Sequence, residues 1–141
     1  MQKPLPDRTD WETPPEFFAA LDAEFGFTLD VCATAENAKC ARYHDEVTDG
    51  LARNWAGEVC WMNPPYGAEI PKWIAKAHAE SQRGATVVCL VPARTDTRWW
   101  HDYAEQASER RFVKGRLRFV GAPFTAPFPC VVLVFRPGSA A

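Results

Sequence analysis

The sequence lacks several features that would assign it to a familiar class of protein. Its apolar runs, such as residues 87–91, are too short to cross a membrane, and residues 1–7 lack the apolar core of a secretory signal. It has no basic excess, because 16 Lys and Arg face 18 Asp and Glu. This balance argues against a nucleic-acid binder coated in positive charge. A G-x-G-x-x-G turn is also missing, so a pyrophosphate-binding loop is not indicated.

Cysteine and histidine are present but show no metal-ligand spacing. The five cysteines form an odd set without a C-x-x-C pair, and the three histidines are scattered. Cys60, Cys89 and Cys130 lie in apolar runs, where a free cysteine behaves as a small hydrophobe. We therefore predict reduced, structural thiols in a cytosolic protein and no metal site.

Length and composition predict one globular domain over residues 1–141. Hydrophobic residues make up 47% of the chain, which is enough for one core and too many for a disordered protein. Neither an internal repeat nor a linker is visible. The chain also carries 12 prolines, which predict stiff turns, and 6 tryptophans, which suggest a surface that stacks on a flat ligand.

Periodicity predicts alternating helices and strands. The first helix starts clearly, with Thr13 as N-cap, Pro14 at the first helical position and Glu16 completing a capping box. Gly26 is placed to end it. The remaining pattern predicts strands at 27–32, 57–62, 86–91 and 130–135, helices at 71–83 and from Thr95/Asp96 to about 109, and a hairpin of 111–113 with 116–120.

This order of elements predicts an α/β fold. Strands that alternate with helices favour a mostly parallel sheet with helices on both faces, and the late strands without intervening helices favour antiparallel edge strands. Such sheets bind ligands outside the carboxyl ends of their strands. The turns after Cys32 and after Met62 are therefore the places to look for a site.

The strongest local signal is Asn63-Pro64-Pro65-Tyr66, directly after an apolar strand. The prolines stiffen the turn and hold the neighbouring carbonyls in fixed directions. Asn63 adds a side-chain acceptor and Tyr66 a flat ring, so the turn suits a planar molecule with an exocyclic amino group. The alternative from spacing alone is a proline-rich turn with an Asn cap and a buried tyrosine.

A second signal is Asp30, at the end of the first strand. An acid at this position commonly serves a nucleoside cofactor. A cofactor without phosphates would need no glycine-rich turn. S-adenosylmethionine is such a cofactor, and its cationic sulfonium would favour the acid. The alternative is that Asp30 only caps the end of the strand.

Basic residues cluster locally although the chain is not basic. Lys114, Arg116 and Arg118 alternate along the predicted hairpin strand and would share one face, and Arg94 follows the central strand. Such a strip can supply contacts to phosphates, or it can be a solvated strand face. Trp99 and Trp100 are adjacent, so we expect one in the core and the other at the mouth of the site.

Together the motifs resemble the phage-type DNA N6-adenine methyltransferase family over nearly the whole chain. Asn-Pro-Pro-Tyr alone is shared by methyltransferases acting on adenine, cytosine amino groups and protein glutamine, so the resemblance depends on the combination. Its marks are Asp10-Trp11-Glu12-Thr13-Pro14, Leu29-Asp30-Val31-Cys32-Ala33, Asp49-Gly50-Leu51 with Trp55, Asn63-Pro64-Pro65-Tyr66, Pro92-Ala93-Arg94-Thr95-Asp96-Thr97 with Trp99, and Lys114-Gly115-Arg116-Leu117-Arg118-Phe119.

The resemblance implies a Rossmann-like S-adenosylmethionine-dependent fold that methylates the N6 amino group of adenine in double-stranded DNA. It implies a host-cell cytoplasmic enzyme of phage or prophage origin. Implied roles are adenine binding and catalysis for Asn63, Pro64, Pro65 and Tyr66, cofactor binding for Trp11, Thr13, Pro14, Asp30, Ala33 and Asp49, and DNA contact for Arg94, Lys114, Arg116 and Arg118.

Two departures from the family pattern matter. Val31-Cys32-Ala33-Thr34 stands where Phe-x-Gly-x-Gly is usual after the first-strand acid. There is also no long insertion that could form a target-recognition domain, so we expect one minimal catalytic domain with broad or very short target specificity. Methylation of another planar amino or amide group, in a protein glutamine or an RNA base, and a non-enzymatic DNA-binding relic of the fold remain alternatives.

Overall fold

The computed structural model describes residues 11–138. Their helices and strands follow one another in an α/β order. The elements are α1 (Pro15–Phe25), β1 (Leu29–Asp30), β2 (Val59–Met62), α2 (Ile70–Gln82), β3 (Thr86–Pro92), α3 (Arg98–Asp102), β4 (Glu109–Phe112) and β5 (Cys130–Phe135), with 3-10 turns at Gly50–Ala52 and Ala104–Gln106.

One five-stranded sheet organises the fold, in the order β1-β2-β3-β5-β4. The pairs β1–β2 and β2–β3 are parallel, whereas β5 pairs antiparallel with both β3 and β4. The predicted mixture of a parallel sheet with antiparallel strands at one side is confirmed. Strand β3 is buried along nearly its whole length, as expected for a central strand covered on both faces.

Helices cover both faces of the sheet. Phe18 of α1 packs edge to face on Trp61, with ring centroids 5.3 Å apart. His78 of α2 packs on Phe135, which the strand register places on the opposite face. Each helix therefore buries its apolar side against a different face, as in Rossmann-like folds.

The predicted capping box is wrong. Pro14 is the N-cap of α1 and has no side-chain cap, and the helix begins at Pro15. The hydroxyl of Thr13 instead accepts a hydrogen bond from Nδ2 of Asn63 at 3.0 Å. Local capping rules predict that the Thr13 hydroxyl bonds to the start of the helix. It bonds instead to a residue fifty positions later in the chain.

The predicted hairpin is wrong in its second half. Strand β4 finds its antiparallel partner in β5, so residues 116–120 are not needed to pair with it and form an irregular loop. Lys114, Arg116 and Arg118 therefore do not alternate along one strand face. All three are exposed.

The predicted helix from Thr95/Asp96 to about 109 is also shorter than expected. Helix α3 starts after Thr97, whose hydroxyl accepts from the Trp100 amide at 3.3 Å, and a 3-10 turn follows it. Trp99 and Trp100 are both buried, so neither is available at the mouth of a site. Both can be buried because the helix is short and the two rings pack on each other, with centroids 5.9 Å apart.

All six tryptophans and three of the five cysteines are buried in the core. No tryptophan ring is exposed enough to stack on a ligand at the surface, so that hint is not borne out. All five cysteines are free, and burial raises the pKa of the Cys60 and Cys89 thiols well above the usual range. Of the helices described, none is long and apolar enough to span a membrane.

Candidate active site

The order in which the chain adds strands to the sheet reverses at the carboxyl end of β1. Asp30 pairs with Trp61 of β2 on one side and bridges to Tyr43, in parallel, on the other. The chain therefore leaves β1 toward the outer edge and then crosses to β2 on the opposite side. Such a switch point opens a crevice outside the strand ends, where α/β sheets bind their ligands.

A cavity of about 910 Å³ lies in this crevice. Its volume is within the range that holds a nucleoside-sized ligand. Four segments supply its wall: residues 11–13, the loop after β1, the 44–51 segment, and the turn after β2 with the start of α2. Nine predicted site residues line it, namely Trp11, Thr13, Asp30, Ala33, Asp49, Asn63, Pro64, Pro65 and Tyr66.

Asn63 presents an unused acceptor in this cavity. Its Nδ2 donates to the Trp11 carbonyl at 2.5 Å and to the Thr13 hydroxyl at 3.0 Å. These two bonds fix the amide so that Oδ1 faces away from them, and Oδ1 is buried without a partner among the described residues. Because buried polar atoms are almost always hydrogen-bonded, this oxygen marks where a ligand donor belongs.

The Thr13 hydroxyl helps to orient the Asn63 amide. Replacing Thr13 should therefore show whether this residue positions Asn63 or contacts the cofactor. We expect Thr13→Val to keep the buried volume but remove one of the two bonds that orient the Asn63 amide. A lost neutral hydrogen bond is worth about 1 kcal/mol, which predicts a kcat about fivefold lower. Steady-state kinetics would check this: KM for the cofactor should stay within twofold. A higher KM with an unchanged kcat would instead make Thr13 a cofactor contact.

The rest of the turn after β2 is rigid and buried. Pro64 and Tyr66 are buried, and the tyrosine hydroxyl donates to the Leu90 carbonyl at 2.9 Å. The ring of Tyr66 packs edge to face against Phe119 and Phe128, with centroids 6.2 and 5.6 Å away. Burial raises the Tyr66 pKa well above its usual range, so the hydroxyl stays protonated. The ring is therefore held in one orientation at the cavity wall.

Asp30 organises the loop after β1. Its two carboxylate oxygens accept from the backbone amides of Cys32 at 3.2 Å and Lys39 at 3.0 Å. Desolvation raises its pKa to about 6, against the smaller opposing effect of these bonds. Asp30 therefore does cap the strand end, as one of the two sequence-based alternatives states, and it also lies in the cavity wall.

Gly50 lets the 44–51 segment approach the end of β1. A Cβ at this position would lie 2.1 Å from the Val31 carbonyl oxygen. Two hydrogen bonds of Trp55 support this turn. Its Nε1 donates to the Gly50 carbonyl at 2.9 Å, and its backbone amide donates to the buried Glu80 carboxylate at 2.7 Å. The neighbouring Asp49 has φ +53°, the only positive φ of a non-glycine residue between 11 and 138.

The wall of the cavity is acidic. Lys39 is its only lysine or arginine within the described chain, and it already pairs with Glu12 at 3.8 Å. Desolvation lowers the pKa of His44, which keeps that ring neutral at pH 7. Six carboxylates line the cavity: Glu12, Asp30, Asp45, Glu46, Asp49 and Glu69. The net negative field favours a cationic ligand.

Trp73 is a cavity residue that the sequence did not reveal. It lies in α2 on the apolar face of the helix, so periodicity alone marks it as core. Its Nε1 is buried and has no hydrogen-bond partner in the described part of the chain. The cavity thus offers an unused acceptor on Asn63 and an unused donor on Trp73.

The remaining predicted site residues lie outside the cavity. Pro14 caps α1, and Arg94, Lys114, Arg116 and Arg118 do not line the wall. The four basic residues still belong to the same edge of the sheet, because they follow the ends of β3 and β4. In the described chain, no group of three or more His, Cys, Asp or Glu residues is placed to hold a metal ion.

Comparison with known proteins decides the family. A sequence model described as DNA N-6-adenine-methyltransferase (Dam) matches residues 2–132. The chain belongs to this family. A relative from Escherichia phage T1 is 29% identical over 109 residues, and one from Haemophilus phage HP1 (strain HP1c1) is 30% identical over 118 residues. Both are named DNA N-6-adenine-methyltransferase.

These matches cover more of this chain than of the relatives. They span 76% of the chain but 45% of the phage T1 protein, and 81% of the chain with 68% of the phage HP1 protein. Among solved structures, the "putative RNA methyltransferase PH1948" from Pyrococcus horikoshii aligns with a TM-score of 0.61 at 12% identity. That alignment covers 96% of this chain and 90% of the other. It supports the methyltransferase fold for this Dam-family chain.

Proposed function

We propose that this protein transfers a methyl group from S-adenosylmethionine to the N6 amino group of adenine in double-stranded DNA. The observation that carries the proposal is the buried, unpartnered Oδ1 of Asn63 in a turn of Asn-Pro-Pro-Tyr. Membership of the Dam family supports the same reaction.

Asn63 is the residue that would orient the adenine. Its Oδ1 would accept one amino hydrogen, and the carbonyl of Pro64, in a turn that two prolines stiffen, would accept the other. Drawing both hydrogens toward acceptors localises the lone pair on the amino nitrogen, which makes it the nucleophile. Tyr66 offers its ring at the cavity wall to the plane of the base, whose removal from the stack costs a few kcal/mol.

Catalysis then depends on position and on electrostatics. When bound, S-adenosylmethionine supplies an electrophilic methyl group and leaves as a neutral thioether. The Asn63 oxygen stabilises the positive charge that develops on the amino nitrogen, and the surplus proton leaves to water. Residues 63–66 contain no His, Asp or Glu, so no side chain of this turn acts as a general base in the proposed reaction.

The size and charge of the cavity support the proposal that it binds S-adenosylmethionine. A sulfonium and an ammonium group suit a wall with six carboxylates, and the buried Trp73 Nε1 is available to donate to a polar atom of the cofactor. Asp30, Ala33, Asp49 and Trp11 would surround it, because they line the crevice at the switch point. Thr13 contributes by holding Asn63, and Pro14 by setting the start of α1.

The direct experiment is incubation with methyl-labelled S-adenosylmethionine and unmethylated DNA, followed by nucleoside analysis. Label in N6-methyladenine is the expected result. Label only in the protein, or only in RNA offered in a parallel incubation, would assign another amino or amide group as the substrate. No transfer to any of them would leave the non-enzymatic relic as the explanation.

Cofactor binding should weaken in mild acid because of Asp30. Its pKa of about 6 means that the carboxylate is charged at pH 7 and neutral at pH 5. A cationic ligand gains from the charged form, so affinity is present above pH 6 and is lost as the pH falls through that value. We expect a dissociation constant for S-adenosylmethionine up to about tenfold higher at pH 5 than at pH 7.

Calorimetry across this pH range would check the effect. The matched control is S-adenosylhomocysteine, which shares the rest of the molecule but has a neutral sulfur. Its affinity should change less over the same range. Equal changes for both ligands would show that the charged Asp30 does not act on the sulfonium.

A further inference from the structure

The loop of residues 113–129 leaves and re-enters the sheet at the same edge as the cavity. Phe112 at the end of β4 pairs with Val131, and Cys130 at the start of β5 pairs with Pro92 at the end of β3. Because β1, β2 and β3 are parallel, this is also the edge that carries the turn of Asn63. Topology alone therefore puts the 113–129 loop beside the site.

The base of this loop packs on cavity residues. Phe119 and Phe128 lie 5.4 and 5.2 Å from the Trp11 ring, centroid to centroid, and both also contact Tyr66. The Val120 amide donates to the Glu12 carbonyl at 3.0 Å. The loop is thus anchored to the wall that would hold the adenine.

Hydrogen bonds within the loop hold its tip in place. The Ala126 amide donates to the Leu117 carbonyl at 2.7 Å, closing the loop across its tip. Nε of Arg118 donates to the Ala122 carbonyl at 3.1 Å. At the closed tip, Phe124 is 71% exposed, which makes it the most exposed aromatic side chain between residues 11 and 138. It stands four residues from both Val120 and Phe128, within about 14 Å of each anchor.

The surroundings of Phe124 are positively charged. The 113–129 loop contains Lys114, Arg116 and Arg118 and no Asp or Glu. None of these three forms an ion pair with a carboxylate between residues 11 and 138, whereas the nearby Arg111 pairs with Glu24 and Glu109. An exposed aromatic ring on a loop whose cations form no ion pair in the described chain matches the base stack and phosphates of a duplex.

We propose that Phe124 is a wedge that enters the DNA base stack when the adenine leaves it. The ring would fill the gap and reduce the cost of unstacking, while Lys114, Arg116 and Arg118 bind the flanking phosphates. This inference rests on the proposed function, because it needs an adenine that turns into the cavity. It assigns recognition of the duplex to a short loop.

The test compares native and heat-denatured unmethylated plasmid DNA as substrates. Denatured DNA has bases that are already unstacked, so a wedge matters less there. We expect Phe124→Ala to lower the methylation rate about tenfold on native DNA and by much less on denatured DNA, with an unchanged melting temperature of the protein. Phe124→Leu keeps an apolar wedge and should retain most of the native-DNA rate.

Phe112→Ala is the matched control, since Phe112 is also an exposed phenylalanine, at 61%, and belongs to β4 rather than to the 113–129 loop. It should behave as the wild type on both substrates. Permanganate oxidation provides a readout independent of turnover: thymines that lose their paired adenine should react in complexes of the wild-type protein and less in those of Phe124→Ala.

The outcomes separate the two proposals. Wild-type protein that methylates no DNA refutes the proposed function and the wedge with it. Active wild-type protein combined with a Phe124→Ala variant of wild-type rate and wild-type permanganate pattern overturns the wedge alone. Equal losses on native and denatured DNA would also overturn it, because they would mean a general binding contact.

Discussion

Asn63→Ala should abolish adenine methylation while leaving cofactor binding nearly intact. The substitution removes the one buried side-chain acceptor that has no partner in the described chain and that the proposed reaction uses on the amino group. Removing a single preorganised group of this kind typically lowers kcat about 100-fold to 1,000-fold. Methylation rates with labelled S-adenosylmethionine would measure the loss, and calorimetry would show whether the cofactor still binds.

The side chain also has a structural role, so the measurement needs a control. Nδ2 of Asn63 bonds to the Trp11 carbonyl and the Thr13 hydroxyl, and we expect the variant to lose about 1–2 kcal/mol of stability. Asn54→Ala is a suitable comparison, because Asn54 is exposed and caps a local turn outside the cavity. A folded Asn63→Ala protein with wild-type turnover would show that the assignment of the active site is wrong.

Gly50→Ala should have the largest effect on the integrity of the cavity. Its Cβ would lie 2.1 Å from the Val31 carbonyl, a backbone atom that cannot rotate away. The 44–51 segment would have to move off the end of β1 and take Asp49 with it. We expect a loss of about 3 kcal/mol in the free energy of unfolding and loss of cofactor binding.

Gly57→Ala is the matched control for this prediction. Gly57 has φ +81° and no atom within 4 Å of an added Cβ, so the change strains the backbone without a collision. It should cost about 1 kcal/mol and leave cofactor affinity unchanged. Denaturant unfolding and calorimetry on both variants would check the pair. If Gly50→Ala binds the cofactor like the wild type, then close packing of this segment does not shape the site.

Some features could be predicted from sequence because their signals are local. The apolar runs and their spacing predicted α1, α2, β3 and β5, and the alternation of helices and strands predicted the mixed sheet. Asn63-Pro64-Pro65-Tyr66 was recognisable because its four residues are contiguous and follow a strand directly. A parallel sheet then brings this turn next to Asp30 without further information.

Other features depend on partners that are distant in sequence. Thr13 has the sequence of a helix cap, but its hydroxyl bonds to Asn63, fifty residues away. Residues 116–120 have the pattern of a strand, but β4 pairs with β5 instead. Trp73 has the spacing of a core residue, and only the packing of α2 beside the turn after β2 makes it part of the cavity.

The sequence by itself therefore determined the fold class, the family and the amino-group turn, because each is encoded in contiguous residues or in a regular period. Only the tertiary structure decided which way the Asn63 amide points, that Asp30 is buried with both oxygens bonded, and that Phe124 stands exposed beside the site. These properties arise where segments far apart in the chain compete for the same hydrogen bonds and the same space, and no local pattern records that competition.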